Sequence, residues 1–266
     1  MSKNTVLIFS DGASRGNPGR GGYGAIVVTG ESSSFSDKKE SGNFDRLHVK
    51  ELGGREVVTT NNRMELEAVI SGLKYYEKSK IEGSSIFHIY TDSKYVVNGS
   101  TAWVFGWAKN GWKTASGDVV KNQDLWESMS ELIKGKKIDW ILLPGHAGVE
   151  GNEICDQIAT GFADDIKPEL FNGKLSDYTD LKILDVFYNP DLIKEAKDDK
   201  KKNGASKSSS SSAKAYSYVS KVGGVISYDK SWADCEKKVK GQKGVLFKKA
   251  VSLADQEKIT KDFMSR

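Results

Sequence analysis

Residues 6–24, with the sequence V-L-I-F-S-D-G-A-S-R-G-N-P-G-R-G-G-Y-G, constrain the fold more than any other stretch. The apolar residues 6–9 form a short, sharply bounded run that predicts a buried strand. Asp11 follows at the expected end of that strand, and a glycine-rich turn leads into a second strand at residues 23–28. An acid beside backbone without side chains suits a hard cation and a phosphate ligand. The alternative is an ordinary hairpin in which Asp11 only accepts hydrogen bonds from turn amides.

The rest of residues 1–165 predicts an α/β domain. A third strand around residues 47–58 is followed by alternating helices and strands, in the order β-β-β-α-β-α-α-β-α. This order favours a five-stranded mixed sheet, antiparallel at first and parallel later, with helices on its faces. We expect a helix capped by Asp92 or Ser93 and running to Val97. The other expected elements are helices at 63–77, 122–134 and 150–164 and strands at 86–90 and 138–143.

Charge is unevenly placed along the chain. Residues 214–266 hold 12 Lys and Arg against 6 Asp and Glu, whereas residues 1–213 hold 28 against 30. The net charge of +6 against −2 indicates a polyanionic partner for the C-terminal piece. Lysine- and serine-rich residues 194–214 predict a flexible linker. We therefore expect an α/β domain at 1–165, an extension of low regularity at 166–193, and a small second domain at 215–266.

Two cysteines, Cys155 and Cys235, are too few and too far apart for a disulfide framework, which predicts a reducing compartment. No signal peptide precedes the first strand, and no apolar run approaches membrane-spanning length. We expect a soluble, cytoplasmic, monomeric protein with no membrane contact.

An unusual aromatic stretch spans residues 103–126. Lysines interleaved with tryptophans suit a nucleic-acid backbone. The alternative is a buried aromatic cluster beneath solvated lysines, and the two interpretations can coexist. The residues concerned are Trp103, Trp107, Lys109, Trp112, Lys113, Lys121 and Trp126.

Four carboxylates stand at informative places. Asp11 and Asp92 each end a predicted strand, Glu65 lies in the first turn of a helix, and Asp156 lies inside another. If the first and fourth strands are neighbours, these acids converge, and their repulsion then requires divalent cations. Hard oxygen ligands select magnesium or manganese over zinc. Two such ions are the usual apparatus for in-line attack of water on a phosphodiester.

Six motifs resemble, in order and spacing, those of a type 1 ribonuclease H over residues 5–163. They are D-G-A-S-R-G-N-P-G-x-G-G-Y-G, T-T-N-N-R-M-E-L, Y-T-D-S, G-W-K-T, K-N-x-D-L-W and G-H-A-G-x-x-x-N-E-x-C-D. The resemblance implies the ribonuclease H-like fold. It also implies endonucleolytic cleavage of the RNA strand of RNA/DNA hybrids, leaving 5′-phosphate and 3′-hydroxyl ends.

The same resemblance implies residue roles. Asp11, Glu65, Asp92 and Asp156 match the metal-binding acids, which take two Mg²⁺ ions, with Mn²⁺ able to substitute. His146 matches a mobile-loop histidine that aids proton transfer or product release. The expected substrate contacts fall in three groups. These are Thr60 and Asn122 on a DNA-strand phosphate; Ser14, Asn17, Asn61, Asn62 and Lys94 in the minor groove, where 2′-hydroxyls are read; and the basic protrusion with Trp103, Trp107, Lys109, Trp112 and Lys113.

This sequence departs from the family pattern in two respects. Residues 30–58 are longer than in the bacterial pattern, so that hairpin carries something extra. Ser14 and Lys94 stand where Cys and Gln are expected, which tunes affinity without threatening catalysis.

Residues 218–250 resemble the hybrid-binding, or viroplasmin-like, domain of eukaryotic ribonucleases H, here at the C-terminus instead of the usual N-terminus. The matching elements are S-W-x-x-C and F-K-K. Aromatic side chains are then expected on the DNA strand's sugars and lysines on phosphates. Alternatively, Trp232 and Phe247 fill a small core. The expected contact residues are Tyr218, Trp232, Phe247, Lys248 and Lys249.

Two other functions are compatible with parts of this sequence. A non-catalytic hybrid-binding protein of the same fold is disfavoured by the intact set of acids and His146. The ribonuclease H portion of a retroelement polyprotein is disfavoured because the chain begins directly at its first strand and carries no reverse-transcriptase segment.

Overall fold

A computed structural model describes residues 3–35, 41–145, 148–178, 181–195, 217–239, 245–250 and 253–264. The chain divides into two compact units, Met1–Lys200 and Lys201–Arg266. Most of the predicted linker lies outside the described residues.

The first unit is built on a long hairpin of β1 (Lys3–Gly16) and β2 (Gly19–Glu31). The prediction of a long glycine-rich turn is wrong. The strands pair continuously from Asn4↔Glu31 to Gly16↔Gly19, so Asp11 lies within β1. The glycines are strand residues, and Gly12, Gly22 and Gly24 among them let helices approach the hairpin.

The sheet of this unit has six strands in the order β5-β4-β1-β2-β3-β6. The pairs β1–β4 and β4–β5 are parallel and the other pairs are antiparallel, as the element order predicts. The predicted count of five strands is one too low. The remaining strands are β3 (His48–Thr59), β4 (Ser84–Thr91), β5 (Lys137–Leu142) and β6 (Asn172–Lys174).

Helices cover both faces of the sheet. Successive side chains of a strand point to opposite faces, and the apolar run of β1 therefore needs packing partners on both. Val6 and Ile8 pack with residues of α1, whereas Leu7 and Phe9 join a second core with Cys155 of α5. None of the described helices is long and apolar enough to cross a membrane. The helices are α1 (Asn61–Lys78), α2 (Lys94–Asn98), a π-helix (Gly99–Trp103), α3 (Val104–Lys109), α4 (Gln123–Ile133) and α5 (Glu150–Ala163).

The segment expected to be of low regularity, 166–193, packs into the second core. It provides β6 and α6 (Asp185–Tyr188), and it buries Leu175, Tyr178 and Ile183. The nearly buried Glu51 carboxylate of β3 accepts hydrogen bonds from the Phe171 amide (2.8 Å) and the Tyr178 hydroxyl (2.5 Å). Sequence pattern missed this segment because its apolar residues contact partners more than a hundred residues earlier.

The longer segment at 30–58 contacts this extension. The Phe35 ring meets that of Phe187 edge-on with centroids 5.4 Å apart, and the Leu175 amide donates to the Leu47 carbonyl at 2.8 Å. The longer segment and the extension therefore support each other.

The second unit is a small α+β arrangement, described by itself. Its antiparallel sheet has the order β8-β7-β9, and Val219, Ala250, Ile259 and Phe263 form its core. Cys235 is buried and free, consistent with a packing role. The elements are β7 (Ser217–Val222), β8 (Val225–Asp229), α7 (Trp232–Val239), β9 (Leu246–Ala250) and α8 (Leu253–Met264).

Glycines in the hairpin permit the close approach of α1 and α5. A Cβ on Gly12 would lie 2.4 Å from the Glu65 amide nitrogen of α1. A Cβ on Gly24 would lie 2.3 Å from the Cys155 carbonyl oxygen of α5. Because both neighbours are backbone atoms, a side chain at either position would push a whole helix outward.

Gly24→Ala tests this packing. We expect it to lower the free energy of unfolding by about 2 kcal/mol or more, since α5 must shift. Gly106→Ala in α3 is the control, because its Cβ would meet no atom within 4 Å. It should stabilise by up to about 1 kcal/mol through helix propensity. Equal thermal melting of Gly24→Ala and the parent would contradict the packing argument.

Candidate active site

The parallel pairing of β1 with β4 brings Asp11 and Asp92 together. The ladder ends at Ser10↔Thr91, and each acid is the next residue of its chain. The sequence-based expectation that these two strands are neighbours is therefore confirmed.

The two helices contribute the other acids. Glu65 lies in α1 and Asp156 in α5, the helices held against Gly12 and Gly24. All four carboxylates line one cavity of about 470 Å³, so the predicted convergence is seen in the structure. The lining residues are Asp11, Gly12, Ala13, Ser14, Arg15, Asn61, Glu65, Asp92, Asp156 and Thr160.

Asp11 is the most constrained of the four, with 7% of its surface exposed. Its carboxylate accepts hydrogen bonds from the Gly12 amide at 2.7 Å and the Asn152 side chain at 3.4 Å. Burial, followed by repulsion from Asp92 and more weakly from Asp156 and Glu65, raises the pKa of Asp11 to about 8. The hydrogen bond from Gly12 opposes this rise only in part.

Glu65 is held between two donors. Its carboxylate accepts one hydrogen bond from Asn61 at 2.9 Å and another from the Ser93 hydroxyl. Burial raises the pKa of Glu65; the Ser93 hydrogen bond opposes that rise, and the Asp92 charge adds to it. Ser93 also accepts the Val96 amide at 3.2 Å and so caps α2, as the sequence predicted for Asp92 or Ser93.

Sequence analysis did not identify three residues that donate hydrogen bonds to the acids. Asn152 donates to Asp11, Ser93 to Glu65, and the Thr160 hydroxyl to Asp156 at 3.4 Å. Asn152 and Ser93 stand inside the quoted motifs, and Thr160 lies one helical turn after Asp156, which is the signal that could have identified them.

The four carboxylates of the cavity are the candidate ligands of a metal ion. Among the described residues, no group of three or more His, Cys, Asp or Glu side chains stands in an arrangement that could hold a metal ion. The chemistry of the four acids nevertheless fits a hard divalent cation, since all offer carboxylate oxygens. Burial and the other three acids raise the pKa of Asp11, so ionising all four carboxyl groups is unfavourable unless a cation neutralises them.

His146 lies outside the described residues, so its predicted role stays a prediction.

The predicted minor-groove contacts lie on the elements that build the cavity. Ser14 and Asn61 line it. Asn17 is exposed at the hairpin turn, Asn62 in the first turn of α1, and Lys94 at the first residue of α2.

The predicted phosphate contacts, Thr60 and Asn122, are the N-cap residues of α1 and α4. A two-pronged ion pair between Arg63 and Asp124, with distances of 2.8 and 2.7 Å, ties these two helix starts together. The Thr60 hydroxyl makes no capping hydrogen bond. Two helix N-termini held side by side suit an anion.

In the aromatic stretch the structure shows the buried cluster beneath exposed lysines, and the nucleic-acid interpretation stays a prediction. Trp126 is fully buried, and its ring meets Trp107 at a centroid distance of 5.7 Å. Trp107 and Trp112 are partly buried against the core, whereas Trp103 is 37% exposed. Lys109 and Lys113 are both exposed.

The predicted contact residues of the second unit are described in part. Tyr218 is half-buried in β7 and pairs in register with Asp229 and Lys249. The side chains of Trp232, Phe247, Lys248 and Lys249 lie outside the description, so neither the hybrid-contact nor the core interpretation is tested.

Known proteins resemble the first unit. A family model described as RNase H matches residues 3–163. A ribonuclease H of Cyanothece sp. is 43% identical over 170 residues, covering 64% of this chain and 96% of the relative. A ribonuclease HI of Neisseria meningitidis serogroup B is 43% identical over 155 residues, covering 58% and 92%. The solved structure of LC9-RNase H1, "a type 1 RNase H with the type 2 active-site motif", is 26% identical with a TM-score of 0.52, covering 70% of this chain and 85% of that one.

Asp11 makes the metal-free protein sensitive to pH. Because the folded-state pKa of Asp11 is about 8, against about 3.9 when unfolded, the free energy of unfolding should fall as pH rises from about 4 to about 8. Asp11→Asn removes this loss, so it should be more stable than the parent by at least about 1 kcal/mol at pH 8.5, with the gap closing near pH 4.

Thermal melts in a chelator across this pH range provide the measurement. Asp45→Asn, at an exposed position, is the control and should follow the parent. If the difference in stability between Asp11→Asn and the parent did not change with pH, the raised pKa of Asp11 would be contradicted.

Proposed function

The chain belongs to the type 1 ribonuclease H family, and we propose on this basis that it is an endonuclease hydrolysing the RNA strand of RNA/DNA hybrids. The products would carry 5′-phosphate and 3′-hydroxyl ends. The observation that carries the proposal is the convergence of Asp11, Glu65, Asp92 and Asp156 on one cavity at the end of the parallel strands.

Divalent metal ions are generally used by this family, and two Mg²⁺ ions, replaceable by Mn²⁺, are proposed for this chain. The four acids would hold them. When bound, such ions supply an activated water and stabilise the leaving oxygen.

The surrounding residues of the chain orient these acids. Asn152 and the Gly12 amide keep the Asp11 carboxylate in place, while Asn61 and Ser93 fix that of Glu65 from two sides. Such donors limit the directions in which carboxylate oxygens can point. His146 is proposed to aid proton transfer or product release from its loop.

The hybrid is proposed to lie across the cavity. The starts of α1 and α4, with Thr60 and Asn122, would bind a DNA-strand phosphate through amide and side-chain donors. Ser14, Asn61 and their neighbours would read the 2′-hydroxyls that distinguish RNA from DNA. The exposed lysines and half-exposed Trp103 would contact the duplex backbone farther along.

Cleavage of a labelled RNA/DNA hybrid in Mg²⁺ tests the activity. We expect cutting of the hybrid only, with duplex DNA, duplex RNA and single-stranded RNA left intact. Asp92→Asn should reduce kcat by more than about 100-fold while hybrid binding persists, because it removes a metal-binding oxygen. Asp45→Asn should cut like the parent. Binding without cutting by the parent in Mg²⁺ and Mn²⁺ would make this a non-catalytic hybrid-binding protein.

The C-terminal unit is proposed to be a hybrid-binding domain. Support comes from the net charge of +6 over residues 214–266, from the unit's own small core, and from the resemblance of residues 218–250. A second hybrid-binding module on the same chain would raise the effective concentration of the catalytic unit at its substrate. Tight binding and processivity would follow.

Deletion of residues 201–266 tests this role. We expect KM to rise at least about 10-fold and the salt dependence of kcat/KM to weaken, with kcat unchanged. In the full chain, Lys248→Glu should raise KM. Lys261→Glu makes the same charge change at an exposed position of α8 and should raise KM much less. An unchanged KM and salt dependence after deletion would exclude the proposal.

We also propose a cytoplasmic, monomeric protein. Both cysteines are buried and unpaired, as suits a reducing compartment.

A further inference from the structure

Arg15 is a basic side chain placed inside the acidic cavity. It is the only Lys or Arg among the described residues that line it. Its guanidinium donates two parallel hydrogen bonds to the Asp164 carboxylate, Nε to Oδ1 and Nη2 to Oδ2, both at 2.6 Å. These contacts with Asp164, and more weakly the charge of Asp156, raise the pKa of the Arg15 guanidinium. A fork-shaped cation therefore stands beside the acids.

Further arginines surround this position. Arg15 and Arg20 lie directly opposite each other in the β1–β2 register, an arrangement that is unfavourable for like charges. Arg20 also helps to lower the pKa of Asp164, after the larger effects of Arg15. Arg55 of β3 pairs with the neighbouring Asp165. Arg15 and Arg20 thus share Asp164 as an acidic neighbour.

Asp164 is a weak partner for Arg15. The two side chains are 41% and 39% exposed, and an exposed ion pair contributes little to stability. Asp164 is also the C-cap of α5, where the helix dipole disfavours a negative charge. A phosphate offers the same pair of oxygens as a carboxylate and is bound by the same fork of guanidinium donors.

We propose that Arg15 binds a phosphate of the hybrid's RNA strand beside the cleaved bond, and that Asp164 occupies the guanidinium until the substrate arrives. The RNA strand is the expected partner because the acids that share this cavity act on it, so the inference rests on the proposed function. In the free protein, Asp164 then competes with the substrate phosphate for the same guanidinium donors. The competing explanation is a purely structural link between the hairpin and the end of α5.

Opposite substitutions in the same ion pair separate these explanations. Arg15→Gln and Asp164→Asn each remove the pair, but only the first removes the phosphate contact. In the full chain, Arg15→Gln should raise KM for the hybrid about 10-fold and reduce the slope of log kcat/KM against log salt by about 1. Asp164→Asn should leave kcat and that slope unchanged and leave KM equal or lower. Arg15→Lys should keep the slope while raising KM by a smaller factor, since it retains charge without the fork.

Three outcomes would overturn the inference. Equal losses in Arg15→Gln and Asp164→Asn, with matching drops in thermal stability, would show a structural link. An unchanged salt slope in Arg15→Gln would show that no phosphate is bound there. A slope that falls equally in Asp164→Asn would do the same. Should the parent bind but not cut the hybrid, the proposed activity fails separately, and the same slopes measured on hybrid binding by fluorescence anisotropy decide the role of Arg15.

Discussion

The close approach of α1 and α5 to the β1–β2 hairpin is the contact on which the site depends. Gly12 and Gly24 leave room for helix backbone where any side chain would overlap it. The helices therefore lie close enough for Glu65 and Asp156 to line the same cavity as Asp11 and Asp92. A shift of α1 or α5 would move Glu65 or Asp156 with it. The packing of the helices on the hairpin therefore sets the geometry of the site.

That constraint has an electrostatic cost. Burial and three neighbouring acids raise the pKa of Asp11, and the hydrogen bonds to Asp11 and Glu65 offset the unfavourable charge only in part. The fold therefore holds together four acids whose full ionisation is unfavourable without a cation. Arg15 is the only basic side chain among the described residues that line the same cavity. The acids would suit the metal ions, and Arg15 would suit a phosphate of the same substrate.

Much of the fold could be predicted because local pattern and tertiary structure agree. The helix expected at 63–77 is Asn61–Lys78, and the strand expected at 86–90 is Ser84–Thr91. The prediction failed where distant contacts decide the structure. Glycines expected to form a turn instead extend two strands, and the 166–193 segment acquires its order from Glu51, Phe35 and Leu47, far earlier in the chain.

By itself, the sequence determined the order of the five main strands, the family, and the places of Glu65, Asp92 and Asp156 on their elements, because these depend on periodicity and on motifs of adjacent residues. Tertiary structure alone decided which groups support the acids: Asn152 reaches Asp11 across 141 positions, and Ser93 reaches Glu65 across 28. It also decided that Arg15 faces the acids while paired with Asp164, 149 positions away. Such contacts arise only when the hairpin and helices pack, since each joins side chains that lie far apart in the sequence and on different elements.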